Sequence, residues 1–174
     1  QILSGLSLAT ALYGALAALV GIRVRDGRWM ESARRATYAV VALLGGALLL
    51  LLAAFLSDHF AIRYVAQHAS TAMPIYLKVS AVWAGQEGSL LLWGFLQGLF
   101  AALAIGRPSD QARPLVPWAT VFLNVITAFF VAVMVLLSNP FTALPQVPPD
   151  GQGLNPLLRH PGMIFHPPAL YVGY

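Results

Sequence analysis

The sequence predicts an all-α, polytopic integral membrane protein: a helical bundle of four spans plus the start of a fifth, with irregular outer-face loops. The chain is 59% hydrophobic and only 9% charged, whereas soluble domains carry about 25% charged residues. It also contains long charge-free windows, and about 20 apolar residues suffice for a helix to cross a hydrocarbon core about 30 Å thick. These windows place the spans at about 2–22, 36–56, 88–106 and 116–137, with the fifth beginning at about residue 167.

The arginines predict the orientation of these spans. Residues 23–35 contain five arginines and residues 107–113 contain two, and cytoplasmic loops of membrane proteins are enriched in such residues. We therefore expect both loops in the cytoplasm, and the N-terminus and the loops 57–87 and 138–166 outside. An anionic-lipid site at residues 23–35 is a second interpretation of that loop, which the topology signal outweighs.

Several classes of site and protein are disfavoured. The chain has no cysteine, which excludes disulfides, thiolate metal sites and cysteine nucleophiles. The net charge of +4 lies in loops and not on one face, so nucleic acid is not an expected partner. The first span lacks the basic region of a secretory signal. Because the chain begins at Gln1 and stops at Tyr174 inside an apolar run, we expect it to be part of a longer protein, as the N-terminal part of a polytopic domain.

The first outer segment predicts little regular structure before one short helix. Residues 60–66 alternate weakly between apolar and polar side chains, which indicates a short extended piece. Residues 67–72 are a polar loop. Proline suits a first helical turn, so an interfacial helix is expected from Pro74 to Val82, with Tyr76 and Lys78 at the lipid headgroups.

Polar residues gather where the third span begins. Glu87 is the only acidic residue between Asp58 and Asp110, and polar groups in such a place usually have partners or a function. One interpretation is a negative charge stabilised at a helix N-terminus. The other is that Gln86 and Glu87 form a polar floor beneath a bound ligand.

Two tryptophans and two glycines flank this acidic residue. Trp83 and Trp93 are either interface anchors or flat surfaces for an aromatic ligand. Gly85 and Gly88 permit backbone geometry that side chains would forbid.

The second half of the chain adds one polar span and one irregular segment. Asn124 and Thr127 are the strongly polar groups inside the fourth span, and hydrogen bonds between helices account for them. Residues 138–161 are dense in Pro, Gly and Asn, which disfavours helix and strand. This segment is either a flexible linker or a loop packed through its recurring apolar residues, Leu144, Val147, Leu154, Leu157 and Leu158.

His166 is the candidate metal ligand. Pro167 and Pro168 suit the first turn of a helix, where a missing N–H has no partner to lose, so His166 is expected at the cap position of the fifth span. The positive end of the helix dipole disfavours the imidazolium, which leaves a neutral ring free to bind metal. The alternative is an ordinary capping or surface histidine.

Four stretches resemble the N-terminal part of the CcmF haem lyase family of cytochrome c maturation, which includes NrfE proteins. The similarity extends over all 174 residues. The stretches that carry it are Trp83-Ala84-Gly85-Gln86-Glu87-Gly88-Ser89-Leu90-Leu91-Leu92-Trp93, Ser138-Asn139-Pro140-Phe141, Leu154-Asn155-Pro156-Leu157-Leu158 and Phe165-His166-Pro167-Pro168 with Leu170, Tyr171, Gly173 and Tyr174.

The resemblance implies an enzyme subunit of the bacterial inner membrane that assists thioether formation between haem b and apocytochrome c. The implied partners are the haem chaperone CcmE, a CcmH-type subunit, apocytochrome c with a C-x-x-C-H motif, and membrane lipid. A second, structural haem is expected in the rest of the protein. The implied site contains His166 as an axial ligand of the haem iron, together with Trp83, Gln86, Glu87, Trp93, Pro167, Pro168 and Tyr171.

The implied haem site is incomplete in this sequence, and other functions compete with it. Gln86 stands where some family members carry histidine, which argues against an obligatory ligand at that position. We identify no catalytic acid or base. Two other functions compete, a transporter or proton-pump subunit and a structural subunit of a membrane complex. The spans lack the interior ionisable residues expected of a proton relay.

Overall fold

A computed structural model describes residues 2–173; Gln1, Tyr174 and the side chain of Met163 lie outside that description. Within it the chain is α-helical without a named strand, and it has one isolated antiparallel bridge between Ile62 and Ala143. The all-α prediction is confirmed. The helices are α1 (Ile2–Val24), α2 (Gly27–Leu56), α3 (Arg63–His68), α4 (Ile75–Ala81), α5 (Gln86–Gly106), α6 (Val116–Leu137) and α7 (Pro161–Gly173), with 3-10 turns at Arg113–Leu115 and Pro156–Arg159.

Four of these helices, α1, α2, α5 and α6, are long and apolar enough to cross a membrane. They contain the four expected spans. Helix α2 has 30 residues and is therefore about 45 Å long at 1.5 Å per residue. Since the hydrocarbon core is about 30 Å thick, α2 is longer than one crossing requires.

The chain divides into two compact units, which are described separately: residues 2–46 with 94–133, and residues 47–93 with 134–173. In the first unit, the Asn124 amide donates to the Thr37 hydroxyl over 2.9 Å and to the Thr120 carbonyl over 2.8 Å. A Cβ on Gly14 would lie 2.8 Å from Asn124 Oδ1, so glycine is needed there for close approach. Thr127, by contrast, bonds within α6 to the Leu123 carbonyl.

The second unit differs from the sequence expectation before α4. Residues 63–68 cover the end of the expected extended piece and the start of the expected polar loop, and they form α3. Tertiary contacts of its apolar side outweigh a weak alternation of side chains. Helix α4 begins at Ile75 after Pro74, which serves as the N-cap residue.

Lys78 does not lie at an exposed headgroup position. Its side chain is only 8% exposed, and its ammonium lies 2.7 Å from Oδ1 and 2.6 Å from Oδ2 of Asp58. Asp58 adopts a left-handed backbone conformation, with φ of 53°. The ion pair links α4 to the residues that follow α2, and it explains how a buried ammonium is tolerated.

The segment at 138–161 is a packed loop and not a flexible linker. Its backbone bonds to the segment around α3: the Arg63 N–H donates to the Thr142 carbonyl over 2.8 Å, and the Gln152 N–H donates to the Ala66 carbonyl over 2.8 Å. Leu154 is 2% exposed, whereas Leu157 is 81% exposed. The recurring leucines therefore do not all serve the same packing role.

Asp150 fastens the middle of this loop. Its carboxylate accepts from the N–H of Thr71 over 2.9 Å, from the Thr71 hydroxyl over 3.0 Å and from the N–H of Gly151 over 2.7 Å. The hydrogen bonds from the Thr71 and Gly151 N–H groups lower the pKa of Asp150 below its usual value.

Helix α7 begins earlier than expected, which corrects the position of His166. The helix starts at Pro161, and Pro167 and Pro168 lie inside it. Its first turn is capped by His160, whose Nδ1 accepts from the N–H of Gly162 over 3.1 Å. The proline that suits the first turn is therefore Pro161, and His166 is an exposed side chain within the helix, not its cap.

Candidate functional site

The beginning of α5 is held in place by the phenol of Tyr64 on α3. Its side chain is 1% exposed. The hydroxyl accepts from the Gly85 N–H over 2.9 Å and faces the carbonyl oxygens of Ala81 at 3.1 Å and Val82 at 3.2 Å, to which it donates. Burial raises the pKa of Tyr64 above its usual value, because a phenolate would lose its hydration. The residue therefore remains a protonated donor.

Close approach, and not unusual dihedral angles, explains the two glycines of this stretch. Gly153 is the only glycine with positive φ among the described residues. A Cβ on Gly88 would overlap the Val82 carbonyl oxygen and lie 2.7 Å from the Tyr64 hydroxyl. A Cβ on Gly85 would lie 2.8 Å from both the Tyr64 ring and the His68 ring.

Trp83 carries an unsatisfied hydrogen-bond donor. Its backbone carbonyl accepts from the Ser89 hydroxyl over 2.8 Å, which closes the turn into α5. Its indole Nε1, however, is buried and has no acceptor within the described part of the chain. Buried donors of this kind are uncommon in proteins, so this unpaired N–H is an unusual feature of the turn into α5.

The two polar residues expected to form a floor lie in the first turn of α5. Gln86 is exposed and Glu87 is half-buried. Among residues 2–173, no basic side chain lies within ion-pair distance of Glu87. Its negative charge contributes to the raised pKa of Tyr64 as a smaller cause than burial. Its place in the first turn of α5 suits a negative charge at a helix N-terminus.

Trp93 and Tyr171, two of the expected site residues, are in direct contact. Their rings are stacked, with centroids 5.5 Å apart and planes inclined by 20°. The contact joins α5 to α7 and thus joins two of the sequence stretches singled out above. Stacked aromatic side chains of this kind offer a broad apolar surface.

His166, Pro167 and Pro168 lie on α7, which packs against α4 and against the turn at Pro156–Arg159. His166 is exposed, and the two prolines are half-buried. Within residues 2–173, no group of three or more His, Cys, Asp and Glu side chains could hold a metal ion. A single exposed imidazole such as that of His166 is chemically able to supply one axial ligand to a haem iron.

Three structural residues of this region escape sequence reasoning: Tyr64, His68 and Asp58. His68 Nδ1 lies 3.0 Å from the Tyr64 carbonyl, and its ring packs on the Tyr64 ring at a centroid distance of 4.5 Å. Their partners lie on other elements or one helical turn away, so no pattern of neighbouring residues predicts these contacts. Glycine spacing after Trp83 is the one signal that indicates a close neighbour there.

Comparisons with known proteins identify the family. The model of the cytochrome c assembly protein family matches residues 83–174. The chain is 41% identical over 172 residues to the cytochrome c-type biogenesis protein CcmF of Pseudomonas aeruginosa, covering 97% of this chain and 26% of the relative. It is 39% identical to CcmF of Escherichia coli, with the same coverage, and 40% identical to the probable biogenesis protein NrfE of Escherichia coli, covering 91% of this chain and 29% of the relative.

A solved structure described as cytochrome c haem lyase CcmF superposes with a TM-score of 0.83 at 33% identity. The match covers 99% of this chain and 27% of the solved one. The chain thus spans about a quarter of the length of the CcmF proteins that it matches. It belongs to the cytochrome c assembly protein family.

Proposed function

We propose that this chain is the N-terminal part of a haem lyase subunit that binds haem b, as substrate, at the outer face of the bacterial inner membrane. In this proposal, the subunit assists attachment of the haem to apocytochrome c. The observation that carries the proposal is the stacked pair of Trp93 and Tyr171, which joins the family stretch that ends at Trp93 to the one that begins at Phe165. A flat aromatic surface suits a porphyrin ring.

Two further features support haem as the bound molecule. The buried indole N–H of Trp83 has no acceptor in the described chain, and a haem propionate is a strong acceptor. His166 is exposed on the same helix as Tyr171, and a neutral imidazole is a common axial ligand of haem iron. Pro167 and Pro168 stiffen the backbone beside it.

Thioether formation depends mainly on how the haem and the cysteine thiols are positioned. Each cysteine thiol of the C-x-x-C-H motif adds across a vinyl group: the sulfur bonds to one vinyl carbon and the thiol hydrogen is delivered to the other, without net oxidation. Holding the two reactants together supplies much of the acceleration. The proposed role of this chain is to hold the porphyrin through Trp93, Tyr171 and His166, while Gln86 and Glu87 form the polar floor. We assign it no proton-transfer residue.

The partners follow from the proposal. Haem arrives from the chaperone CcmE, a CcmH-type subunit presents apocytochrome c, and membrane lipid surrounds the spans. The proposed topology has the arginine-rich segments in the cytoplasm and the N-terminus outside. Single cysteines introduced at Ser109 and Thr142 into the cysteine-free chain test it with a membrane-impermeant thiol reagent. Labelling of intact cells is expected at Thr142→Cys and not at Ser109→Cys; the reverse pattern contradicts the topology.

The ligand assignment is tested by His166→Ala in the full-length protein. The expected result is loss of the haem bound at the outer face, seen in the absorption spectrum, and loss of covalent haem in c-type cytochromes, seen by haem stain. Membrane insertion should be normal. His59→Ala is the control, because His59 is also exposed but lies outside the family stretches. If His166→Ala retains haem and matures cytochromes c normally, the assignment is wrong.

A further inference from the structure

The net charge of the chain is concentrated in two short segments. Residues 23–35 and 107–113 hold seven arginines against Asp26, Glu31 and Asp110, which accounts for the whole net charge of +4. Elsewhere three basic residues are balanced by three acidic ones. Both segments belong to the unit formed by residues 2–46 and 94–133.

Three cavities open in this basic region, and Gly27 lines all of them. One of about 340 Å³ is lined by Arg25, Met30, Pro117 and Trp118 among others. A second of about 340 Å³ includes Arg34, Arg113 and Thr120, and a third of about 430 Å³ includes Arg28, Ser32 and Arg35. We call these three the Gly27 cavities. The walls of the first two combine guanidinium groups with apolar side chains, whereas the third has polar side chains.

Two of these arginines are not neutralised by neighbours. Arg34 and Arg35 pair with Glu31, and Arg113 pairs with Asp110. For Arg25 and Arg28 the described part of the chain offers no carboxylate within ion-pair distance. Both side chains are exposed. They are therefore free to bind an external anion.

The length of α2 favours the depth of lipid headgroups for the cavities around its charged beginning. The helix exceeds a hydrocarbon crossing by about 15 Å, and its charged residues all lie at its beginning, up to Arg35. An exposed apolar stripe of α6 runs away from the same region: Trp118 is 51% exposed, Phe122 63% and Ile126 42%, spaced four residues apart. Residues at this spacing share one helix face.

We propose that the Gly27 cavities bind an anionic phospholipid, with its phosphate between Arg25 and Arg28 and an acyl chain along Trp118 and Phe122. Basic pockets between membrane helices are suited to anionic headgroups. The tryptophan also fits this depth, because its ring is apolar and its N–H is polar. This inference is independent of haem binding.

The test uses the full-length protein in detergent, titrated with phosphatidylglycerol, phosphatidylcholine or glycerol 3-phosphate and followed by native mass spectrometry. The wild-type protein should prefer phosphatidylglycerol. Loss of two arginines in R25Q/R28Q should weaken its binding about 30-fold, which corresponds to about 2 kcal/mol. The control R23Q/R107Q removes equal charge, one arginine from each basic segment, outside the Gly27 cavities, and should change affinity less than threefold.

Three results would overturn the proposal. They are equal affinity for phosphatidylglycerol and phosphatidylcholine, an R25Q/R28Q affinity equal to that of the control, and glycerol 3-phosphate binding as tightly as the lipid, which would indicate a soluble phosphate ligand. If R25Q/R28Q fails to insert, Trp118→Ala decides instead, because it leaves every charge in place. It should weaken phosphatidylglycerol binding, and an unchanged affinity contradicts the proposal.

Discussion

The indole of Trp93 and the phenol ring of Tyr171 stack 5.5 Å apart across 78 residues of chain. If the pair forms the porphyrin surface, Trp93→Leu and Tyr171→Leu should each lower haem retention by about tenfold, since aromatic contacts of this size contribute about 0.5–1.5 kcal/mol beyond area burial. Tyr171→Phe keeps the ring and should retain most haem. The measurement is haem content of the purified full-length protein. Normal haem content in both leucine variants would contradict the proposal.

Gly88 and Gly94 lie on the same helix and should respond oppositely to alanine. A Cβ on Gly88 overlaps the Val82 carbonyl oxygen, whereas a Cβ on Gly94 makes only an ordinary contact with Phe130 at 3.8 Å. Gly88→Ala should lower the free energy of unfolding by about 1–3 kcal/mol through overpacking. Gly94→Ala should be neutral or stabilising by up to about 1 kcal/mol. Thermal unfolding in detergent measures both, and equal effects would show that the close approach at Gly88 is wrong.

Tyr64→Phe removes one oxygen and keeps the ring. The N–H of Gly85 then loses its acceptor, and the carbonyl oxygens of Ala81 and Val82 lose their donor. We expect the free energy of unfolding to fall by about 1–3 kcal/mol. Tyr76→Phe is the control, because Tyr76 is 61% exposed and should be silent. Equal stability of the two variants would contradict the hydroxyl's role.

The same residue predicts a pH dependence in alkaline solution. The pKa of Tyr64 is higher in the folded protein than in the unfolded chain, where it is about 10. Its contribution to stability is therefore complete below pH of about 10, and is lost as pH rises toward the folded-state pKa. Denaturation curves measured between pH 8 and about 11 should show a steeper fall for wild type than for Tyr64→Phe. Parallel curves would argue against this linkage.

The two partners of the Lys78–Asp58 ion pair should not be equivalent. The Lys78 side chain is 8% exposed and that of Asp58 is 26% exposed. Asp58→Asn leaves a buried ammonium without a countercharge and should cost about 3 kcal/mol or more. Asparagine tolerates the left-handed backbone there. Lys78→Met should cost less, because the remaining carboxylate reaches water.

Chemical denaturation of both variants measures the difference. Asp110→Asn is a suitable control, because its pair with Arg113 has side chains that are 90% and 71% exposed and should contribute at most about 1 kcal/mol. A larger loss in Lys78→Met than in Asp58→Asn would mean that the ammonium reaches water on its own.

The long helices and the family were accessible to sequence reasoning for a simple reason. Crossing lipid demands a continuous apolar run, which is a property of consecutive residues, so charge-free windows such as 36–56 are diagnostic. The stretch from Trp83 to Trp93 likewise indicates the family through consecutive residues. The contact between Trp93 and Tyr171, however, depends on how α5 and α7 pack, which a pattern of consecutive residues does not specify.

The sequence predictions were wrong where a residue's contact partner is distant in the sequence, or where two similar local motifs were present. Lys78 was expected at the membrane interface because its partner, Asp58, lies 20 positions earlier and no local pattern indicates their ion pair. Residues 60–66 alternate weakly, as a strand would, but the burial of Tyr64 favours a helix from Arg63 to His68. His160 and His166 each precede a proline, and only the first caps α7. The local preference for a cap residue before proline applies to both histidines and does not distinguish them.

The backbone pairing of the loop at 138–159 has a consequence for its susceptibility to proteases. An exposed loop with many small and polar residues would ordinarily be cleaved first. Proteases bind substrates in extended form, and the backbone groups of Thr142, Leu144, Gln152 and Gly153 that such binding requires are already bonded to the segment at 61–69. This loop should therefore survive digestion by proteinase K in the native protein, and become the first cleavage site once Asp150 no longer holds Thr71.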